Sequence, residues 1–213
     1  MSAACGLAAC GNKTDANAKN FSAALDAYFA KEGELCLPTV TWPVDVFETD
    51  VREKATPFGK TGKASQMEAL EKAGLVKAED VEVPLKGMAG QPGGRTFKAR
   101  RFTLSDSAKP FVREREVEVF QLTGRTKEKR TDVCWGKQAV DKVVKWEGPM
   151  KFGDYQEAAV IYTYRIDGTA DWAKQAEVQE AFPTVRQYLE DAGSRELKHP
   201  VKLTSEGWER KTL

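Results

Sequence analysis

Histidine is almost missing from this chain: there is one, His199, in 213 residues. Metal centres and nucleophile–base pairs that use imidazole therefore have little to be built from. Cysteine is scarce as well, four in all and with no C-x-x-C spacing, which excludes zinc ribbons and the dithiol redox motif. The sequence holds no G-x-S-x-G, no P-loop and no H-E-x-x-H. Those absences remove the strained serine elbow, the phosphate cradle and the helical zinc site of metalloproteases. No apolar run approaches the roughly 20 residues that a membrane-spanning helix needs. Net charge is nearly absent too, at +1, so no field of one sign covers the whole molecule. A pairing of His199 with Cys36 or Cys134 is outweighed by simpler accounts of the cysteines. Asp167 and Asp171 could serve as an acid/base pair, but Asp171 sits where a helix cap is expected. No catalytic residue, metal ligand or cofactor is assigned.

What is present is an ordinary globular composition, 41% hydrophobic and 31% charged, in a chain long enough for one domain or two small ones. Residues 131–167 organise the rest. They read as two antiparallel strands joined by a loop at 148–153. In the second strand Ala158, Val160, Tyr162, Tyr164 and Ile166 share one face, with Ala159, Ile161 and Thr163 on the other. That period of two in β-branched and aromatic residues marks a strand with a buried face. A hairpin alone is marginal, so helices or further strands must cover it. Charge is unevenly spread: residues 95–145 hold 14 Lys+Arg against 7 Asp+Glu. A solvated basic face is the simpler account, and a patch for phosphates or acidic partners the sharper one.

The most specific local signal is at the N-terminus. Leu7-Ala8-Ala9-Cys10-Gly11 resembles the lipobox of bacterial lipoprotein precursors, and a polar stretch comes next at 12–19. The resemblance implies lipidation at Cys10, a membrane anchor there, and a flexible tether before the folded part. Residues 1–6 supply neither the basic region nor the apolar stretch of a signal peptide, so residues 1–19 read as a truncated leader and tether. Cys5 and Cys10 belong to that segment, which leaves Cys36 and Cys134. In an exported protein an even pair is a disulfide candidate; in a cytosolic one it is two buried thiols. Cys36 lies between Leu35 and Leu37, and Cys134 opens the central strand beside Trp135.

Along the chain, Asn20 is the expected cap of a helix whose Phe21, Ala24, Leu25, Tyr28 and Phe29 form one stripe that Gly33 ends. Pro38 and Pro43 impose extended chain. Residues 51–64 read as a loop, and a helix is expected over 65–73. From there, MEALEKAGLV, the loop KGMAGQPGGR and KARRFTLSDSAKPF resemble the second half of a winged-helix domain. Leu70, Gly74, Leu75, Val76, Arg101, Leu104, Ser105 and Ala108 carry the resemblance. It implies a recognition helix followed by a β-hairpin wing. Leu189-Glu190-x-Ala192-Gly193 echoes Leu70-Glu71-x-Ala73-Gly74, and Leu203–Gly207 parallels Leu104–Ala108, either by duplication or by shared helix-stop chemistry. Residues 113–122 alternate as a strand with one solvated face, giving a three-stranded meander with the central hairpin. Asp171 is the expected cap of a helix bearing Trp172, Ala176 and Phe182. Pro183 opens the next helix, and a short strand ends the chain with Trp208 buried or half-buried.

The expected fold is therefore α+β: a winged-helix-like unit over 20–112, then an antiparallel meander covered by C-terminal helices over 113–213. The clustered aromatics Trp135, Trp146, Tyr162, Tyr164, Trp172 and Trp208 are read as packing rather than as a ligand platform. Arg95, Lys98, Arg100 and Arg101 form a candidate basic surface on the wing, where phosphate contact would need no sequence-specific geometry. The helix before it is acidic at Glu68 and Glu71, a poor reader of base edges. Two function classes stand. One is an exported, lipid-anchored envelope protein on the periplasmic side, without chemistry of its own, that binds an envelope protein or ligand and no specific nucleic acid. The other is a cytosolic winged-helix DNA-binding protein.

Overall fold

The computed structural model describes residues 12–38, 41–53, 59–86, 92–121 and 124–211. In chain order it runs α1 (Ala18–Glu32), β1 (Glu34–Cys36), β2 (Val44–Phe47), α2 (Glu48–Glu53), α3 (Lys63–Lys72), β3 (Val76–Lys86) and β4 (Pro92–Leu104). It continues through β5 (Val112–Gln121), β6 (Gly124–Phe152), β7 (Tyr155–Asp167), α4 (Ala176–Ala181), α5 (Pro183–Asp191), β8 (Leu197–Thr204) and β9 (Gly207–Arg210). The fold is mixed α+β and every strand pairing with a defined register is antiparallel. Two compact units divide it differently from a cut near residue 112. The chain passes between them after Gly33, Gly136, Asp167 and Glu190.

One unit is α1 with the later part of β6 and strands β7, β8 and β9, in that sheet order. The alternation in β7 places Ala158, Val160, Tyr162 and Tyr164 at 2% exposure or less. Phe21, Ala24, Leu25 and Phe29 of α1 are buried as the stripe requires. Phe21 meets Trp146 and Trp208 edge-on, with centroids 5.4 and 5.0 Å apart. The helix starts earlier than expected because Asn17 is its cap, accepting from the Asn20 amide at 2.9 Å. Asn20 instead turns its Nδ2 to the carbonyls of Asn12 and Asp15, at 2.8 and 2.9 Å. The stretch 12–15 is thus held against the fold rather than forming a free tether.

In the central hairpin the expected loop at 148–153 contracts to a two-residue turn at Gly153 and Asp154. The strand absorbs Gly148 and Pro149 as a register shift between Glu147 and Met150. A second irregularity falls between Val140 and Lys142. Asp26 of α1 accepts from the Val140 amide there at 3.1 Å, and Arg165 donates to the Val140 carbonyl. A bulge leaves ladder groups unpaired, and these two side chains supply the partners.

The other unit holds a three-stranded sheet in the order β2-β4-β3, together with α2, α3, α4, α5, β1, β5 and the start of β6. Val44, Val46, Met67, Leu70, Val76 and Phe102 are its core, with Trp172, Val178, Phe182 and Val185. α3 ends where Gly74 takes φ +76° and Leu75 donates back to the Leu70 carbonyl at 2.9 Å. The Ser105 hydroxyl then donates to the Gly74 carbonyl at 2.6 Å, tying the end of β4 to the end of the helix. Gly193 closes α5 at a similar φ of +77°. Beyond the two glycines the segments diverge: Leu203 to Gly207 is the β8–β9 turn, whereas Leu104 leads from β4 into a 3-10 helix. The echo therefore reflects helix-stop chemistry.

Further corrections are local. Residues 51–53 continue a helix, α2, where a loop was expected. Its first turn carries Glu48 and Asp50, favoured beside the positive helix start. Ala170, not Asp171, precedes the 3-10 turn Asp171–Lys174, and Asp171 pairs with Lys174 at 2.9 Å. β5 and β6 form a ribbon in which residues 113–120 are exposed or half-buried, so both faces are open rather than one.

Candidate functional site

Cys36 on β1 and Cys134 on β6 are brought together, their Sγ atoms 2.02 Å apart, at disulfide distance. Neighbouring backbone fixes the approach: the Leu37 amide donates to the Val133 carbonyl at 2.8 Å. Glu34 lies beside the two sulfurs. Its carboxylate accepts from Arg113 at 2.8 Å, and the sulfurs are spent on each other. Cys10 lies outside the described residues.

The candidate basic surface is less basic than its sequence. Arg100 donates to Glu71 of α3 at 2.9 Å. Arg101 grips Asp45 of β2 through two hydrogen bonds, 2.7 and 2.8 Å. That fork, with its charge, holds the Asp45 carboxyl below its ordinary value against the opposing effect of burial. Lys98 is exposed on β4. Arg95 falls on β4 by its backbone, and its side chain lies outside the described residues. Two of the three described cations are thus neutralised by carboxylates of their own unit.

Beside them lies a groove that sequence reading missed. Val46, Phe47, Val51, Val81 and Ala99 supply apolar lining, and Glu48, Asp80, Glu82, Lys98 and Arg100 the charges, around a cavity of about 470 Å³. A second hollow of about 540 Å³ shares Phe47, Glu48 and Lys98 and adds Phe97, half exposed, and Arg52. An apolar floor with a few placed charges suits binding of a small or extended ligand. Its signal was hidden because α2, which supplies Glu48, Val51 and Arg52, sits in a polar stretch that reads as a loop.

His199 is on β8. Its Nδ1 and the Tyr162 hydroxyl are 2.7 Å apart, and the two rings stack at 5.6 Å. Burial, then the nearby Arg210 charge, pushes its pKa below the ordinary imidazole value. The imidazole packs beside the rings of Tyr28 and Phe29, at 6.4 and 6.3 Å. Asp167 is paired with Arg165 at 3.0 Å, so each aspartate of the suggested acid/base pair is held by its own cation. Trp135, Tyr162, Tyr164, Trp172 and Trp208 are all at 7% exposure or less, as packing requires; Trp146 is the more open one.

No protein-family model, curated protein or solved structure matches the chain.

Proposed function

We propose that this protein is an exported, lipid-anchored component of the bacterial cell envelope, on the periplasmic side, with a binding rather than catalytic role. The observation that carries the reading is the Cys36–Cys134 pair at disulfide distance. A bridge between such distant residues persists in oxidising compartments and is rare in the cytosol. The lipobox-like Leu7-Ala8-Ala9-Cys10-Gly11 supports the same compartment and assigns Cys10 as the lipidated residue. The groove lined by Phe47, Val51, Val81 and Ala99 is the place where an envelope protein or ligand would bind.

The finer fold reading, a winged-helix-like unit over 20–112, is narrowed to β2, α2, α3, β3 and β4, because α1 belongs to the other compact unit. Its support is the strand order β2-β4-β3, the helix leading into the β3–β4 hairpin, and the Ser105–Gly74 tie between them. This unit is a scaffold and not a DNA reader. Its helix α3 packs against α4, and Gln66 of α3 reaches the Ala181 carbonyl at 3.5 Å. A recognition helix needs a bare face rich in Arg, Lys, Asn or Gln. Here Glu71 instead holds Arg100.

Two arms test the reading. With an export leader placed in frame before Leu7, the protein should fractionate with bacterial membranes, and Cys10→Ala should release it. In binding assays, any affinity for duplex DNA should vanish as salt rises, since scattered cations give only counterion-release binding. Unchanged fractionation of the variant, or a sequence-selective DNA complex at physiological salt, contradicts the proposal.

A further inference from the structure

The β7–β8 register pairs Glu157 with Lys202, and the β8–β9 pairing closes at Thr204 with Gly207. Carried two residues further, that register sets Tyr155 level with Thr204. The β6–β7 turn and the β8–β9 turn therefore lie at one end of the same sheet. Residues 12–15 are docked at that end. Trp208 donates through Nε1 to the carbonyls of Thr14 and Asp15, at 3.1 and 3.2 Å. Gly207 packs so closely on Lys13 that a Cβ there would meet its carbonyl at 3.2 Å.

Cys10 is two residues before Asn12, and extended chain covers at most about 3.6 Å per residue. A lipid on Cys10 therefore has no tether longer than a few ångströms between bilayer and fold. The same sheet end carries large apolar side chains in solvent: Met150 at 56%, Phe152 at 68% and Tyr155 at 37% exposure. Phe152 and Tyr155 face each other across the turn, and the Lys211 ammonium lies 5.6 Å from the Tyr155 ring centre. Exposed Lys151 lies between Met150 and Phe152 in sequence, and exposed Lys13 packs on Gly207 of the neighbouring turn, while Lys211 is held by Glu157 at 2.6 Å. Aromatic and apolar side chains beside lysines are the chemistry of a bilayer interface, where rings enter the headgroup layer and ammoniums reach phosphates.

We infer that this end of the sheet is a membrane-seating surface, with the β6–β7 hairpin tip, Met150, Phe152 and Tyr155, resting in the lipid headgroup layer beside the anchor. The inference rests on the lipid anchorage proposed above. Seating would fix the orientation of this unit on the bilayer, because two points of its edge, the anchor and the hairpin, touch lipid.

The test uses the full lipoprotein purified from bacterial membranes. Its Cys10 is blocked by lipid, Cys36 and Cys134 are joined, and Cys5 leaves with the leader, so an added cysteine is the one free thiol. Phe152→Cys and, at the far end of β7, Asp167→Cys each receive an environment-sensitive fluorophore. Each protein is then reconstituted in vesicles of phosphatidylethanolamine and phosphatidylglycerol that carry headgroup nitroxides. The expected result is a blue shift and loss of emission at position 152, with neither at 167. Aqueous, unquenched emission at 152 in protein whose mass shows lipid on Cys10 overturns the seating and leaves the anchorage standing. Protein without lipid at Cys10 overturns both.

Discussion

Gly33 shows how one residue can hold two elements in register. A Cβ there would fall 2.4 Å from the Phe29 carbonyl oxygen and 2.7 Å from that of Gln138. The Gln138 amide also donates to the Gly33 carbonyl at 2.8 Å, so the end of α1 and β6 meet backbone to backbone. Gly33→Ala should lower stability by about 1–3 kcal/mol, the usual cost of forcing extra volume into a packed site. Chemical denaturation reads it, and an unchanged midpoint would refute the close approach. His199 makes a second test at this scale. Its pKa is lowered in the folded state, so the unfolded chain takes up a proton first as pH falls. The stability it contributes is complete above the ordinary imidazole value of 6.5 and is lost on acidification through the lower folded value. The denaturation midpoint should therefore drop from pH 7 towards pH 5, and His199→Gln should flatten that slope. An equal slope in both proteins would show that other groups govern it.

At the scale of elements, the ends of α3 and β4 are joined by a single side-chain bond. Ser105 is 7% exposed and its hydroxyl reaches the Gly74 carbonyl. Ser105→Ala should cost about 0.5–1.5 kcal/mol, the net worth of an ordinary hydrogen bond. A smaller loss in thermal denaturation would mean that the carbonyl finds another partner. These are the residues that made the sequence resemble a helix-and-wing unit, and local chemistry explains why they were legible. A glycine at positive φ and a serine poised to close on it leave a mark within a few positions. The β7 face and the α1 stripe were legible for the same reason, through periods of two and of 3.6. α2 was not, since its six residues bury no side chain and carry no apolar period. The groove was illegible with it, because its lining comes from α2, β2, β3 and β4, whose neighbourhood depends on strand order rather than on any one segment. The basic run misled for a related reason. Asp45 and Glu71, which neutralise Arg101 and Arg100, are 56 and 29 residues away in sequence.

At the scale of the whole molecule, chain order and compact units do not coincide. Residues 168–190 belong with 34–136, and their Trp172, Val178, Phe182 and Val185 are buried. A fragment of residues 34–136 should therefore expose α3 and melt without cooperativity, while the full chain gives a sharp transition in calorimetry. A cooperative fragment would show that α4 and α5 are dispensable. The division was hidden in the sequence because no linker composition marks Gly136 or Asp167, which lie inside or at the end of long strands. The bridge between Cys36 and Cys134 spans a sequence separation of 98 and closes much of that unit on itself. Chain-entropy reasoning assigns a bridge closing such a loop about 4–5 kcal/mol. The intact mass of the protein recovered from the bacterial membrane fraction, taken before and after reduction and alkylation, tests export and anchorage together. The expected chain begins at Cys10, carries a lipid there, and gains two alkyl groups only once the Cys36–Cys134 bridge is reduced. A soluble chain without lipid, alkylated at Cys36 and Cys134 before any reductant is added, would contradict both.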